Sequence, residues 1–398
     1  MRKVFAGILA LTLLLSCCFP VFAQEEIQTE GLYSFTVTDG AATITKCDPS
    51  ISGDVVLPAT LGGYPVKAIG DGVFSFYMGL TSVAIPEGIT VIGNSAFAGC
   101  YGLRNVLIPA SVESIGTYAF AFCTNLPAVG IPNGVQVISN AAFSGCEKLS
   151  TVKIPESVTV IGKEAFFNCT ALTSIQVAES NTTYSSDASG VLFNKDKTKL
   201  IQAPGQIDNG YQIPESVQII NASAFTNCLN LTAMTIPDSV QTIGAYAFYY
   251  CENMKEVTIG TGVRTIGAYA FSKCKALEEV TVSVGLETIE QRAFSDCQQL
   301  AEVYFNGTRG QWTQITIGDG NTGLDNARFF FSGANEPGDV NSDGFVNEDD
   351  AIYLLQNILM PDLFPLESAP DFDKNGVVDE DDAIYLLQHV LMPDVFPL

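Results

Sequence analysis

The chain has 398 residues, of which 47% are apolar, and its formal net charge is −24. A chain of this length and apolar content is expected to bury a large core rather than to be disordered. Its strong negative charge disfavours nucleic acid and anionic lipid as partners, because both would be repelled. After the N-terminal region no apolar stretch reaches the roughly 20 residues that a transmembrane helix needs, so we expect no membrane span in the mature protein.

Residues 1–23 are predicted to be a signal peptide. Arg2 and Lys3 precede an apolar run, and residues 21–23 (Val-Phe-Ala) end in the small residue of a cleavage site. The mature chain would begin near Gln24, and the protein would be secreted, extracellular or associated with the cell surface. An alternative stays open, because residues 14–17 (Leu-Leu-Ser-Cys) resemble the lipid-attachment box of bacterial lipoproteins.

An Ala-Phe pair recurs along the chain with a period of 23 residues, and an Ile-Pro pair and an Ile-Gly pair follow the same period in several copies. The repeated phenylalanines are Phe74, Phe97, Phe120, Phe143, Phe166, Phe225, Phe248, Phe271 and Phe294. Residues 80–86 (Leu-Thr-Ser-Val-Ala-Ile-Pro) have the alternation of a short strand that proline ends. We therefore expect each copy to form one coil of a solenoid, with its strands stacked in a parallel sheet.

The repeat also indicates the domain boundaries. Residues 24–50 are predicted to form an N-terminal capping hairpin, and residues 51–332 the solenoid, with a C-terminal cap near 305–332. Phe166 and Phe225 are 59 residues apart, one period plus 36, so a hairpin insertion is expected near 178–212. Residues 333–338 are predicted to be a linker, and residues 339–398 a separate module.

The repeat pattern I-P-x-x-V-x-x-I-G-x-x-A-F-x-x-C-x-x-L is complete in residues 154–172, and it resembles the BspA-like leucine-rich repeats of surface proteins. The resemblance covers about two thirds of the chain. It implies a mainly β leucine-rich-repeat solenoid with short helical and irregular segments. It also implies a role in adhesion or in binding a ligand, which would be a polysaccharide, a host component or another protein.

Eight of the 11 cysteines follow the same period: Cys100, Cys123, Cys146, Cys169, Cys228, Cys251, Cys274 and Cys297. Equivalent positions in a solenoid direct these side chains inward along parallel lines, which is poor geometry for a disulfide, so we expect free buried thiols. Disulfides are the alternative, because the protein is predicted to be secreted. Zinc ligation is disfavoured, since the chain lacks ligands at short spacing.

Catalysis is not predicted. The only histidine, His389, lies in the acidic tail, which argues against Ser-His and Cys-His catalysis in the repeats. The strand positions expected to face solvent form an ordinary polar surface rather than a glycosidase carboxylate pair. These positions are Ser82, Asn105, Thr151, Ser174, Thr235, Glu256, Glu279 and Glu302. We therefore predict a protein that is not an enzyme.

One group of aromatic residues is a candidate ligand surface. It comprises Tyr246, Tyr249, Tyr250 and Tyr269, which lie beside the repeated phenylalanines. Clusters of exposed tyrosines often mark binding sites, whereas the alternative is that these side chains pack between coils.

Two 12-residue segments of the tail have the ligand spacing of calcium loops, with oxygen ligands at positions 1, 3, 5, 9 and 12 and a backbone carbonyl at position 7. In loop one the ligands would be Asp339, Asn341, Asp343, Phe345, Asn347 and Asp350, and in loop two Asp371, Asp373, Asn375, Val377, Asp379 and Asp382. Glycine occupies position 6 in both loops. We expect two Ca²⁺ ions, and a helix after each loop over residues 351–360 and 383–392.

The tail has a helix pattern after each loop but none before loop one. Its motif D-V-N-x-D-G-x-V-N-x-x-D at residues 339–350 resembles the type I dockerin. This resemblance implies a small all-α module that binds, with calcium, a cohesin module on a scaffold or surface protein, as in a cellulosome.

The dockerin resemblance also places partner contacts at loop positions 10 and 11. These are Glu348 and Asp349 in the first half and Glu380 and Asp381 in the second, acidic residues where the family usually has small hydroxyl residues. Because the two halves are almost identical, one partner could dock in either of two orientations. The alternative is a free-standing surface adhesin whose tail is only a calcium-stabilised structural cap.

Overall fold

The computed structural model describes residues 26–332, 338–341, 346–361, 363, 366, 370–393 and 395–398. The predicted signal peptide, residues 333–337 of the predicted linker, and the loop-one residues Asp343 and Phe345 lie outside the described residues. Among the described residues, no helix combines the length and the apolar composition needed to cross a bilayer. The predicted fold class is confirmed: the chain is a mainly β solenoid with a small helical C-terminal part.

The first part of the chain contains the strands up to the insertion. They are β1 (Gln28–Glu30), β2 (Tyr33–Thr38), β3 (Ala41–Cys47), β4 (Gly53–Val56), β5 (Thr60–Leu61), β6 (Tyr64–Ile69), β7 (Leu80–Ala84), β8 (Val91–Ile92), β9 (Asn105–Leu107), β10 (Ser114–Ile115), β11 (Ala128–Val129), β12 (Val137–Ile138), β13 (Thr151–Ile154), β14 (Val160–Ile161) and β15 (Ser174–Val177).

The insertion, the second part of the solenoid and the tail follow. Their elements are β16 (Tyr184–Ser186), β17 (Leu192–Asn194), β18 (Lys199–Gln202), β19 (Ile219–Ile220), β20 (Ala233–Ile236), β21 (Thr242–Ile243), β22 (Glu256–Ile259), β23 (Thr265–Ile266), β24 (Glu279–Ser283), β25 (Thr288–Ile289), β26 (Glu302–Asn306), α1 (Arg309–Trp312), β27 (Thr316–Ile317), β28 (Arg328–Phe331), α2 (Glu348–Leu359) and α3 (Glu380–Leu391).

Each coil contributes strands to two faces. On one face the two-residue strands stack in parallel, in the orders β6-β8-β10-β12-β14 and β19-β21-β23-β25-β27. On the other face the longer strands form parallel sheets, in the orders β4-β7-β9, β11-β13-β15 and β20-β22-β24-β26-β28. Strands β1, β2 and β3 pair antiparallel at the N-terminal end, and β16, β17 and β18 do so in the insertion. The registers of Ile115 with Ile138 and of Ile243 with Ile266 show that the 23-residue period sets the stacking.

The repeated phenylalanines form two ring stacks inside the solenoid. From Phe74 to Phe166 successive ring centroids lie 5.1, 5.2, 5.4 and 5.7 Å apart, and from Phe225 to Phe294 they lie 4.9, 5.0 and 5.2 Å apart. All these rings are almost completely buried, and each buried aromatic ring stabilises the fold by removing a large apolar area from water. Because one coil cannot bury its own ring, neighbouring coils depend on one another for stability.

The third side of each coil is a turn with two residues in the left-handed region, one on each side of the phenylalanine. In the Phe120 coil these are Tyr118 (φ 57°) and Phe122 (φ 59°). Their amides donate hydrogen bonds to the carbonyls of the next coil, 3.0 Å to Asn140 and 2.7 Å to Ser144. Such bonds between coils offset the strain that a left-handed backbone costs a residue other than glycine.

The tail has an apolar cluster of its own. Its buried members are Val340, Ala351, Leu354, Ala383 and Leu386, and helices α2 and α3 pack against each other through them. The buried positions 351 and 354 in α2, and 383 and 386 in α3, have the spacing of one helix face. The tail therefore buries the same residues in both halves, 32 positions apart.

Candidate functional site

The second loop of the tail brings three carboxylates together. One carboxylate oxygen each of Asp371, Asp373 and Asp382 lies within 4.8 Å of the other two. Asp371 Oδ2 accepts a hydrogen bond from the amide of Gly376 (2.8 Å), where the backbone turns with φ +90°. Three ionised carboxylates this close repel one another, and a bound cation would offset that repulsion.

The donor set fits Ca²⁺. Oxygen ligands lie 2.3–2.6 Å from a bound calcium ion, so two ligands on opposite sides of the ion are about 5 Å apart. The spread of the three carboxylate oxygens in loop two falls within that limit. Carboxylate oxygens are hard ligands of the type calcium prefers, and no cysteine or histidine contributes to the group.

The last ligand position of each loop also organises the backbone. Asp382 Oδ1 accepts from the amides of Phe372 (2.6 Å) and Asp373 (3.2 Å), and its Oδ2 accepts from Asp379 (3.0 Å). In loop one Asp350 repeats the pattern, with bonds from Val340 (2.8 Å), Asn341 (3.1 Å) and Asn347 (2.8 Å). Both carboxylates are fully buried, so each connects the start of its loop to the first turn of the helix that follows.

Loop one is described only in part. Asp339 is buried, and the amide of Asn341 donates to the Asp350 carboxylate, whereas Asp343 and Phe345 are outside the described residues. Position 9 in each loop serves as the helix N-cap, because Asn347 accepts from the amide of Asp349 and Asp379 accepts from the amide of Asp381. The predicted ligand set of loop one is therefore a proposal that rests on its identity of pattern with loop two.

The predicted partner residues are exposed at the N-termini of the two helices. Glu348 and Asp349 occupy the first turn of α2, and Glu380 and Asp381 occupy the first turn of α3. Acidic side chains are favourable there because of the helix dipole, so they have a structural role in addition to any contact with a partner. The two acidic pairs are symmetric in the sequence, 32 positions apart.

Between the two helices lies an apolar groove that was not predicted from the sequence. Its volume is about 480 Å³, and it is lined by Ala351, Ile352 and Leu355 of α2, by Ala383, Ile384 and Leu387 of α3, and by Glu348 and Glu380. Ile352 and Ile384 are half exposed, at 51% and 50%. The signal for this groove was present in the sequence, because α2 and α3 have apolar residues on a second helix face, in equivalent positions.

The four candidate tyrosines are brought together on the turn side of the solenoid. Tyr246 and Tyr269 stack in neighbouring coils with ring centroids 4.8 Å apart, and Tyr249 meets the edge of Tyr246 at 5.5 Å. Tyr250 lies 5.5 Å from Tyr249. Tyr246 is 37% exposed and the others are partly buried, so the group is a surface cluster with its rings largely packed against one another.

Basic side chains lie over rings of this tyrosine cluster, and they were not predicted from the sequence. Lys273 lies 5.4 Å above Tyr249 and 5.2 Å above Tyr250, and the guanidinium of Arg292 lies 5.7 Å from the ring of Tyr269. Arg292 also donates to the Tyr269 hydroxyl at 2.8 Å. The 23-residue spacing of Tyr250 to Lys273 and of Tyr269 to Arg292 could have revealed them. These cation–π contacts place two cations directly on the rings of the cluster.

The strand positions predicted to face solvent are exposed or half buried: Ser82, Asn105, Thr151, Ser174, Thr235, Glu256, Glu279 and Glu302. Three of them form an acidic row, because Glu256, Glu279 and Glu302 are direct neighbours on β22, β24 and β26. Arg328 on β28 pairs with Glu302 at the end of the row. Like charges side by side in a sheet are destabilising, so this row costs the fold some stability.

The periodic cysteines line the inside of the solenoid as free thiols. Each thiol donates to a carbonyl of the preceding coil, for example Cys123 to Phe97 (3.3 Å) and Cys251 to Phe225 (3.1 Å). Burial raises the pKa of Cys100 and of Cys251 to about 12. A buried thiol with a raised pKa is a poor nucleophile, and these thiols pack inside the core, so we interpret the row as structural.

Three solved structures are similar to this chain. The solved structure of a leucine-rich cell surface protein from Faecalibacterium prausnitzii is 28% identical and covers 73% of this chain and 97% of its own, with a TM-score of 0.47. The pneumococcal vaccine antigen PcpA (20% identity; 82% and 91% coverage; TM-score 0.53) and a leucine-rich repeat protein from Eubacterium ventriosum (22%; 77% and 95%; 0.51) share the fold.

Among proteins with curated functions, none matches this chain. The family model described as the BspA type leucine-rich repeat region matches in six copies, over residues 67–190 and 208–316. That match is to a structural repeat, and it indicates no catalytic family. Because the matched residues make up more than half of the 398-residue chain, the protein belongs to the BspA type leucine-rich repeat family.

Proposed function

We propose that this is a secreted or surface-associated binding protein with two functional parts. The solenoid binds a polysaccharide, a host component or another protein. The tail binds two Ca²⁺ ions and docks the protein to a cohesin module on a scaffold or surface protein. The observation that carries the proposal is the symmetric apolar groove between α2 and α3, which is flanked by acidic pairs, together with the carboxylate cluster of loop two.

Calcium binding would support docking by fixing the positions of the two helices. Asp382 contacts both the first residues of loop two and the first turn of α3, so a cation held by Asp371, Asp373 and Asp382 would fix the helix relative to the loop. Without the cation the carboxylates repel one another, and binding energy for the ion becomes folding energy for the module. Docking would therefore depend on calcium because the groove needs both helices in place.

The groove itself favours a partner with an apolar ridge. Ile352 and Ile384 leave apolar surface exposed in equivalent positions, which a soluble module without a partner has little reason to keep. Glu348 and Glu380 line the same groove and are exposed, so the matching surface of the partner would carry basic groups beside its ridge. A second copy of this chain would bring acidic pairs against acidic pairs, which disfavours self-association.

The solenoid offers the tyrosine cluster as its ligand surface. Tyr246 and Tyr269 are stacked, and Lys273 and Arg292 lie over rings of the cluster, so ring edges, hydroxyls and cations are presented together. Such a surface fits a polar polymer such as a polysaccharide, because sugar hydroxyls form hydrogen bonds with phenol hydroxyls and with basic side chains. Family membership favours a binding role but does not identify the ligand.

The alternative is a free-standing adhesin whose tail is only a structural cap. A cap would bury its apolar residues against the solenoid, whereas the buried residues of the tail form a cluster with one another. The exposed groove is also unexpected for a cap, since a cap should leave a polar outer surface. The docking proposal accounts for both observations.

The test is binding of immobilised type I cohesin modules to the mature chain in calcium, with groove variants. Leu355→Glu combined with Leu387→Glu should weaken binding at least 100-fold, because charges enter the apolar groove from both helices. The matched control is Leu363→Glu combined with Val395→Glu, which changes an exposed apolar pair outside the groove. Equal binding by both double variants would reject the groove as the docking surface.

A further inference from the structure

The coil that follows the Phe166 coil is shorter than the others at one corner. Leu200 pairs with Ile220 in the parallel sheet. The amide of Ala203 donates to Ala224 O at 2.8 Å. In a regular coil the equivalent bond joins the amide of Phe143 to Ala165 O, at 2.9 Å. Ala203 therefore follows Leu200 by three positions, whereas Phe225 follows the equivalent residue Ile220 by five positions. We call residues 200–206 the short coil; it lacks the two corner residues that each regular coil has.

The missing corner leaves hydrogen-bonding groups of its neighbours without their usual partners. In regular coils a corner amide donates to the next coil, as Ala141 does to Lys163 O and Ser223 does to Ala245 O, both at 2.9 Å. Within the described residues, no such bond is made by the amides of Glu164 and Phe166 or accepted by the carbonyl of Ala222. Phe166 is 2% exposed, and a buried backbone amide requires a partner.

A cavity of about 200 Å³ lies at this corner, on the boundary between the two Phe stacks. Its walls include Phe166, Leu192 and Ile201, and Gln202 is a polar residue within it. Glu164 and Asn221 lie at its more exposed side. The Glu164 carboxylate accepts from the Ser223 hydroxyl at 3.0 Å, so side chains from the coils on either side of the short coil meet across its gap.

We propose that this corner is a binding site for an extended stretch of polypeptide about two residues long. In every regular coil the same space is filled by peptide groups, whose carbonyl accepts from the coil before and whose amide donates to the coil after. A bound peptide would supply a carbonyl to the Glu164 amide and an amide to the Ala222 carbonyl, which is β-strand addition at a single coil. The apolar walls would hold one small aliphatic side chain of the ligand.

This inference rests on the proposed role of the solenoid as a ligand-binding scaffold, and it selects a peptide as one ligand class. Sugar hydroxyls could also form hydrogen bonds here. However, the backbone amides and the carbonyl without partners among the described residues at this corner have the direction and spacing that peptide groups of a neighbouring coil satisfy elsewhere in the solenoid. The site is separate from the tail groove, and it adjoins the tyrosine cluster, because burial and nearby charges that include the Glu164 carboxylate raise the pKa of Tyr246. If the peptide proposal were wrong, the proposed calcium-dependent docking by the tail would be unaffected.

The test is ligand-observed saturation-transfer NMR on the mature chain with N-acetyl-alanyl-alanine amide as the probe. The proposal predicts saturation transfer with a millimolar dissociation constant, since so small a ligand has few contacts. Insertion of Asn-Ala after Ile201 restores the corner residues of the Phe143 coil and should weaken binding at least tenfold. The same insertion after Asp196, in the exposed turn of the insertion hairpin, is the control and should bind like the unaltered chain.

A second variant keeps the test decisive if the lengthened coil does not fold. Ala222→Phe places a ring at the exposed side of the cavity and should also weaken probe binding at least tenfold, while Ala245→Phe, the equivalent change in a regular coil, should not. Circular dichroism and thermal unfolding would establish that each variant is folded. Equal probe binding by blocked and control variants would overturn the proposal, as would saturation transfer to glucose or galactose but not to the dipeptide.

Discussion

The amide of Phe372 donates a hydrogen bond to the buried carboxylate of Asp382 at 2.6 Å. This bond connects the beginning of loop two to the first turn of α3, and Val340 and Asp350 repeat it in loop one at 2.8 Å. One residue therefore belongs both to the predicted cation site and to the start of the helix. In the proposed function, the geometry of the docking surface would be coupled in this way to calcium binding by the loops.

Asp382→Asn is expected to reduce the number of calcium ions bound by the mature chain from two to one. The substitution removes one of three clustered carboxylates, so the affinity of loop two should fall at least tenfold. Isothermal calorimetry measures the stoichiometry. Asp381→Asn is the control, because that side chain is exposed and outside the cluster. Retention of two ions of unchanged affinity in Asp382→Asn would contradict the assignment.

The periodic cysteines are expected to be unreactive thiols in the native protein. Burial raises the pKa of Cys100 and Cys297 to about 12, so at pH 8 a thiol reagent should not label them until the chain is denatured. Labelling after denaturation without reductant should then detect all eight together with Cys47. Disulfides among them would appear as missing thiols and would show that the parallel arrangement does not prevent pairing.

The same thiols should make stability depend on alkaline pH. Their pKa in the folded state is above the ordinary value of 9.0, so the folded state holds its protons where the unfolded state loses them. The stability they contribute is complete below pH 9 and is lost as the pH rises toward 12. Denaturant midpoints measured from pH 7 to pH 11 should fall above pH 9, and Cys251→Ala should fall less steeply.

Glu279→Gln is expected to stabilise the solenoid. Glu279 lies between Glu256 and Glu302 in register, so removing its charge relieves two repulsions worth roughly 0.2–1 kcal/mol in the free energy of unfolding. The gain should shrink as salt screens the row. Chemical denaturation at low and high ionic strength measures both effects. A variant that is less stable than the unaltered chain at low salt would contradict net repulsion within the row.

Partner binding should survive loss of either acidic pair but not of both. Replacing Glu348 and Asp349 with lysine, or Glu380 and Asp381, should cost about a factor of two, roughly 0.4 kcal/mol, because one of two equivalent orientations remains. All four changes together should remove most binding, since the partner then meets repulsive charge either way. Titration against a cohesin that binds the unaltered chain measures this. If one pair alone abolishes binding, the partner uses one orientation.

The solenoid could be predicted because its period is set by burial. Phe97 and Phe120 are fully buried and stacked at 5.2 Å, and a side chain with that role must recur wherever a coil recurs. The left-handed turns were not predictable in the same way. Ser95, Tyr118 and Ala141 share the conformation with no common side chain, because bonds between coils impose it rather than local propensity.

The short coil and the tail groove show two further limits of prediction from the sequence. A spacing of 59 residues indicates an insertion, but the corner that is lost at Ile201 and Gln202 depends on which backbone groups pair across coils. In the tail the spacing of Asp371, Asp373 and Asp382 predicted their convergence, since calcium geometry restricts it closely. The exposed Ile352 and Ile384 were overlooked because apolar helix residues are ordinarily expected to be buried.

The central claim is that the tail makes this leucine-rich repeat protein a calcium-dependent docking partner. The most direct measurement is binding of immobilised type I cohesin modules by the mature chain and by a chain that ends at residue 332, each with calcium and with chelator. The account predicts saturable binding by the mature chain in calcium, its loss in chelator, and none by the shortened chain. Binding that persists in chelator or without the tail, or no cohesin bound in calcium, would contradict it.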